Sequence, residues 1–295
     1  MRKILLASTA LVALTSVSAM AADVSISGSS EIVLDMGDSA TADQSSFATE
    51  NDIAISFTNT TDSGITTSMS YGMDDADNTA DDLVVSISGD FGTISYTGVG
   101  ARDDHALTAV DNEASGTAEE NTGTLPSGTY TGSLPSLGTA LTYRLPSIVD
   151  GLGIAASFEN DSGGDDASSY AVTYAAGPLS LVYGEVRDHT RTDTHVGVTV
   201  SVAGANLMIA KNSDDGQREA TLMGATYAVS PELTLGFEID KGENGTAAQD
   251  FSMTAIGATY QIATGLSASF TSTETDSGTD ANDSNYTSVG LHVAW

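Results

Sequence analysis

Cysteine is absent from the chain, and positive charge is scarce: 9 lysines and arginines stand against 40 aspartates and glutamates. The missing cysteines exclude disulfides and thiolate metal sites. The formal charge of −31 argues against a nucleic-acid partner, because phosphate binding depends on lysine and arginine. The sequence also lacks G-x-S-x-G and H-E-x-x-H patterns, and its four histidines have no paired metal spacing. We therefore do not expect an enzyme.

Long apolar runs are missing after the first residues of the chain. Arg2 and Lys3 precede an apolar stretch from Ile4 to about Leu14, and a Ser/Thr/Ala segment then ends at 19–21 with the pattern A-x-A. This order is typical of a Sec signal peptide, since a transmembrane helix needs about 20 apolar residues. We predict a cleaved signal peptide over 1–21 and one mature domain over 22–295. Loss of Arg2 and Lys3 takes the formal charge from −31 to −33.

Alternation of apolar and polar residues with a period of two dominates the mature chain, which is the pattern of half-buried strands. In the final run, for example, positions 289, 291, 293 and 295 are apolar or aromatic and oppose Ser, Gly, His and Ala. Sixteen such runs predict strands at about 24–36, 50–59, 64–73, 82–89, 93–98, 139–145, 152–159, 168–175, 179–186, 193–201, 205–212, 219–228, 233–241, 250–261, 266–274 and 285–295.

The connections between these strands alternate in length. Short turns such as 89–92 and 263–265 are followed by longer acidic segments such as 160–167 and 275–284. A sandwich has no reason to keep that order, whereas a barrel with one end in the periplasm and one outside the cell does. The sequence predicts an all-β fold, a transmembrane antiparallel β-barrel of 16 strands. An acidic secreted β-protein is the alternative.

The apolar face of the predicted strands carries aromatic residues, as the interfacial girdles of membrane barrels do. These are Tyr71, Tyr96, Tyr143, Tyr174, Tyr183, Tyr227, Tyr260 and Trp295. Charges on the same face occur beside long connections, at Glu185, Lys211, Glu219 and Lys241, where an outer rim would lie. The pattern predicts a surface in contact with outer-membrane lipid.

The opposite face would line a water-filled lumen, with Glu31, Asp35 and Asp52 on the wall. The chain has no lysine or arginine from 22 to 101 or from 242 to 295. Because the first and last strands pair in a closed barrel, these two stretches would form one continuous cation-free wall. We use that name for them below.

The third long connection, 99–138, is much the longest, and loops of that length are usually functional. The acidic residues that it carries are Asp103, Asp104, Asp111, Glu113, Glu119 and Glu120. The strand that follows places Arg144 on the polar face beside Thr142, where the guanidinium would meet water and not lipid.

No metal or cofactor is predicted. The Asp-rich loops offer oxygen ligands of the kind that calcium prefers, but none has the EF-hand spacing. Solvated acidic loops are the expected reading, and calcium binding by them is the alternative.

Several segments are similar to those of the sixteen-stranded trimeric general porins of Gram-negative outer membranes, in an alphaproteobacterial-like form. Thr142-Tyr143-Arg144, followed by 149–152 and Ala155, resembles the segment after their constriction loop. Residues 89–93 resemble the turn before the strand that feeds this loop. Residues 289–295 resemble the terminal strand recognised during assembly, with Trp295 where Phe is usual.

The resemblance implies that 99–138 is a constriction loop folded into the lumen, with its six acidic residues opposite Arg144 at the pore constriction. It implies a homotrimer in the outer membrane and Trp295 as a signal to the barrel-assembly machinery. It also implies passive diffusion of small hydrophilic solutes and ions. The cation-free wall departs from the family pattern, in which basic residues on the first strands face the loop, and so favours cations as the preferred solutes. A substrate-specific channel is the alternative.

Overall fold

The computed structural model describes residues 23–39, 42–73, 81–97, 139–159, 166–188, 191–215, 218–244, 250–277 and 283–295. Within these ranges the chain forms sixteen strands. They are β1 (Asp23–Ser39), β2 (Ala42–Thr60), β3 (Thr66–Met73), β4 (Asp81–Gly89), β5 (Gly92–Thr97), β6 (Ala140–Arg144), β7 (Leu152–Glu159), β8 (Ala167–Ala176), β9 (Leu179–Arg187), β10 (Thr192–Val202), β11 (Ala205–Asp214), β12 (Arg218–Ala228), β13 (Leu233–Glu243), β14 (Phe251–Ala263), β15 (Leu266–Ser277) and β16 (Ser284–Ala294).

Each strand pairs with its neighbours in sequence, and β16 pairs antiparallel with β1, so the sheet closes into a barrel. Closure gives each strand a neighbour on both sides, which a β-structure in lipid requires. At the junction, the backbone N–H of Gly28 donates to the carbonyl of Trp295 (3.1 Å), and the N–H of Trp295 donates back to Gly28 (3.0 Å). The indole of Trp295 lies over Gly28 on the outside of the barrel.

All sixteen predicted strands and the barrel fold are confirmed. The main difference is the first connection, predicted as a long loop over 37–49. The structure extends β1 to Ser39 and begins β2 at Ala42, and these two residues pair. Residues 37–49 are polar on both faces except for a few such as Phe47, so no apolar alternation marks the extension.

The barrel has two different ends. Turns such as 90–91 and 264–265 close one end, which also holds Asp23 and Trp295, and we call it the short-turn end. Glycine permits the tight reversal there: Gly265, for example, has a φ of +72°. The other end holds the longer connections, and we call it the long-loop end.

The outward face is apolar and has aromatic side chains toward both ends, as predicted. Tyr143 lies near the short-turn end and donates a hydrogen bond to the carbonyl of Phe91 (2.6 Å). Tyr170 and Tyr183 lie toward the long-loop end with their ring centroids 6.1 Å apart. Among the described residues, no helix has the length and apolar character needed to cross a membrane.

The inward face is largely Ser, Thr and Gly. Thr142 is fully buried on this face, and its hydroxyl lies 2.7 Å from that of Ser157 on β7. The face also includes an apolar patch that the alternation did not predict, formed by Ala140, Ala155, Ala167, Ala171 and Val186. Small alanine side chains fit either face, so their preference cannot be read from the sequence pattern.

Candidate functional site

The lumen wall formed by β1 and β2 is acidic. Glu31, Asp35 and Asp52 all lie on the inward face, at the places that alternation predicts. Ser29 pairs with Asp52 across the two strands and donates its hydroxyl to that carboxylate (3.1 Å). Glu31 lies opposite Glu50, so two carboxylates face each other across adjacent strands.

The junction of β1 with β16 completes this wall. Asp35 lies opposite Ser288 on β16 and accepts a hydrogen bond from its hydroxyl. Because β16 and β1 are neighbours, the two lysine- and arginine-free stretches of the sequence are contiguous in space. The described parts of the cation-free wall therefore form one surface, from β14 through β16 and β1 to β5.

A serine–histidine–glutamate group lies on this wall, and the sequence motifs did not reveal it. Ser269 Oγ is 2.7 Å from His292 Nε2, and His292 Nδ1 is 3.3 Å from Glu31 Oε1. Alternation puts His292 on the inward face, which is a usable signal. Its two partners come from opposite ends of the chain, and only the register of closure brings them together.

Arg144 lies on the inward face of β6, as predicted, with Thr93 as its partner on β5 and Ala155 on β7. Thr93 is the second residue of β5, which begins after the 90–91 turn, so Arg144 belongs to the short-turn end. At about 3.3 Å per residue it lies roughly 13 Å along the strand from Ala140, where the third connection rejoins the wall. Arg144 thus faces the lumen much nearer the short-turn end than Ala140 does.

Two further arginines reach the inward face on the side of the barrel away from β1, and each meets a carboxylate. Arg191 Nε lies 2.9 Å from Asp193, whose side chain is fully buried. Arg218 pairs with Asp214, which lies opposite Asp193 on the neighbouring strand. The sequence did not single out these pairs, because charges two or four residues apart across a hairpin carry no distinctive signal.

The charges predicted at the outer rim lie on the outward face at the long-loop end. Lys211 and Glu219 form an ion pair of 2.8 Å, with side chains 50% and 40% exposed. Glu185 is contacted by Arg187 at 2.8 Å and by the hydroxyl of Tyr170 at 3.3 Å. These cations point away from the lumen and do not offset its acidic wall.

The predicted constriction residues of the third connection lie outside the described residues; they are Asp103, Asp104, Asp111, Glu113, Glu119 and Glu120. Their position relative to Arg144 stays a prediction. In the part of the chain that the structure describes, no group of three or more histidine, aspartate or glutamate side chains could hold a metal ion. Calcium binding by the acidic loops also stays untested.

The sequence profile that describes the Gram-negative porin family matches residues 7–294, almost the whole chain. The chain belongs to the Gram-negative porin family. No curated protein sequence matches this porin. Family membership and the closed sixteen-strand barrel together make it an outer-membrane channel protein.

Solved structures of porins share this fold at low sequence identity. An engineered triple variant of the porin from Rhodopseudomonas blastica is 17% identical, with a TM-score of 0.71, and the match covers 92% of this chain and 100% of that chain. A porin refined at 1.8 Å is 15% identical, with a TM-score of 0.68 and the same coverage. A chain described under asymmetric conductivity of engineered proteins is 16% identical, with a TM-score of 0.70 and the same coverage. These likenesses support the fold.

Proposed function

We propose that this porin forms a water-filled channel for passive diffusion of small hydrophilic solutes and ions, with a preference for cations. The observation that carries the preference is the cation-free wall, which brings Glu31, Asp35 and Asp52 onto one inward surface. Barrels of sixteen strands are wide enough for an aqueous channel. Fixed carboxylates on its wall raise the local concentration of cations.

The opposing positive charges are few and are held by acids. Arg191 and Arg218 each contact an aspartate, so each pair adds little net charge to the lumen. Arg144 is the inward-facing arginine of the short-turn end and opposes the acidic wall from β6. The balance of the described inward face is negative.

We further propose that 99–138 acts as the constriction loop, with its six acidic residues facing Arg144. The strands on either side support this, because β5 has 6 residues and β6 has 5, against 8 in β7 and 10 in β8. A segment that leaves the wall partway along the barrel gives two such short strands. The signal peptide over 1–21, the homotrimer and the recognition of Trp295 by the assembly machinery belong to the same proposal.

Reversal potentials in planar bilayers test the function. Under a KCl gradient we expect cation selectivity at about 0.1 M salt and weaker selectivity at about 1 M, because screening shortens the reach of a charge from about 10 Å to about 3 Å. A triple variant, Glu31→Gln with Asp35→Asn and Asp52→Asn, should lose much of the preference while it keeps the shape of the wall.

The matched control neutralises two acids on the outward face, Glu185→Gln with Glu219→Gln, and should leave selectivity unchanged. A folded protein that does not conduct would refute the channel itself. Equal selectivity of wild type and the triple variant would refute the role of the acidic wall. Competition between solutes for the conductance would favour the substrate-specific alternative.

A further inference from the structure

Ser269, His292 and Glu31, which we call the seam cluster, lie where the last strand of the barrel meets the first. They come from β15, β16 and β1, and all three face the lumen near the short-turn end. The side chains of His292 and Glu31 are 30% and 20% exposed, so the cluster is partly open to the lumen. Its chemistry is that of an imidazole held between a hydroxyl and a carboxylate.

Gly290 makes room for this contact. A Cβ at that position would lie 2.5 Å from Ser269 Oγ and 2.9 Å from His292 Nε2, both closer than carbon approaches such atoms. The glycine therefore allows Ser269 on β15 and His292 on the neighbouring β16 to meet over Gly290. The imidazole therefore has Ser269 Oγ 2.7 Å from its Nε2 atom and Glu31 Oε1 3.3 Å from its Nδ1 atom.

The order serine, histidine, glutamate is also that of a hydrolytic relay, but the surroundings do not suit acyl transfer. Such a site needs donors for the oxyanion, most often backbone N–H groups. β15 and β16 are paired on both sides through these positions, so their backbone groups already serve the sheet. Ser269 is also only 5% exposed. The cluster fits a role in the channel better than one in catalysis.

The groups that face His292 are acids and hydroxyls. β1 contributes Glu31 and Asp35, and β2, one strand further, contributes Glu50 and Asp52. β15 contributes Ser267, Ser269 and Thr271, and β16 itself carries Tyr286. Across 22–101 and 242–295, His292 is the only side chain that can gain a positive charge.

We propose that His292 sets the ion selectivity of the channel through its protonation, an inference that rests on the proposed channel function. While the ring is neutral, Glu31 counts as one negative charge on the wall, with its Oε1 atom 3.3 Å from His292 Nδ1. On protonation both ring nitrogens can donate, and the His292–Glu31 pair becomes neutral overall. The wall then carries one negative charge fewer.

The direction of the effect follows from these charges. Imidazoles take up their proton between about pH 8 and pH 5, whereas most carboxylates stay ionised over that range. Uptake of a proton by His292 removes one net negative charge from the wall, so cation preference falls as the pH drops. One charge about 8 Å from a permeating ion, in water, changes the cation-to-anion permeability ratio by about two- to fivefold at low salt.

The test measures reversal potentials at about 0.1 M KCl, at about pH 7.5 and pH 5.5. Wild type should show a cation-to-anion ratio about two- to fivefold lower at the acid pH. H292Q should keep the high ratio at both pH values, and H292R should show the low ratio at both. E31Q at the higher pH has the same net charge as protonated wild type, and it should reproduce the low ratio.

His195 provides a matched control, since it is also an inward-facing histidine, hydrogen-bonded to Asn212, but is 3% exposed. H195N should keep the pH dependence of wild type. A pH dependence in H292Q equal to that of wild type would overturn the inference, as would a high ratio in H292R or E31Q at the higher pH. If H292Q does not assemble, the permeability ratios of H292R and E31Q test the inference in its place. Absence of conductance in wild type would refute the channel function instead, so the two failures are distinguishable.

Discussion

The junction between Gly28 and Trp295 gives the sharpest prediction for stability. A Cβ built on Gly28 lies 2.6 Å and 2.7 Å from two indole carbons of Trp295 and 2.8 Å from the carbonyl oxygen of Asp52. Normal contacts begin near 3.5 Å, so three overlaps arise at once. An extra methyl group in a packed site usually costs about 1–3 kcal/mol. We expect Gly28→Ala to lie at the upper end, since one of the three atoms is backbone and cannot swing away.

The same geometry predicts partial rescue. Trp295→Ala removes two of the three overlaps and leaves the one with Asp52, so Gly28→Ala should then cost only about 1 kcal/mol. The coupling free energy of the double-mutant cycle should be about 1–2 kcal/mol. Each free energy of unfolding can be measured by urea unfolding of the barrel in detergent. The folded fraction is read from the shift in gel mobility and from far-UV circular dichroism, because the Trp295→Ala variants lack tryptophan fluorescence. An equal cost of Gly28→Ala with and without the indole would refute the packing argument.

Three further predictions test other parts of the barrel. Arg144→Ala should raise the cation-to-anion permeability ratio about twofold at low salt, and a change in gating noise alone would mean that the residue only anchors the loop. Deletion of 293–295 removes the backbone pairing at the end of β16, so fractionation should show normal export but outer-membrane levels near background; normal levels would contradict this. Lys211→Ala breaks an exposed ion pair with Glu219, and its effect on the free energy of unfolding should stay below about 1 kcal/mol.

The strands were predictable because each one separates two environments. Lipid on one side and water on the other impose a period of two, so a run such as Leu233–Ile239 shows both its extent and its outward face. Over 37–49 the sequence has no apolar alternation, so the pattern gave no sign that the strands extend there. The hairpin of β1 and β2 was therefore predicted too short.

The arrangement within the lumen was less predictable. The pattern identified the inward face of Glu31 and of His292, but not that the two meet, because pairing between the first and last strands depends on the register of the whole barrel. The position of Arg144 along its strand was partly predictable, since Pro146 follows two residues later and marks a turn. Its face was correct, while its distance from the third connection required the structure.

The pairing of the first strand with the last has a consequence for the topology of the chain. Ala294 pairs with Ser29, and β1 continues past this point to Asp23, so Asp23 and Trp295 lie at the same rim. A short flexible linker from Trp295 to Asp23 would make the polypeptide effectively circular, and new ends could be opened in another connection, for example between Glu159 and Asp166. Such a circular permutant keeps every strand pairing but places the former junction inside the chain. The order in which strands are synthesised and the order in which they surround the pore thereby become separable.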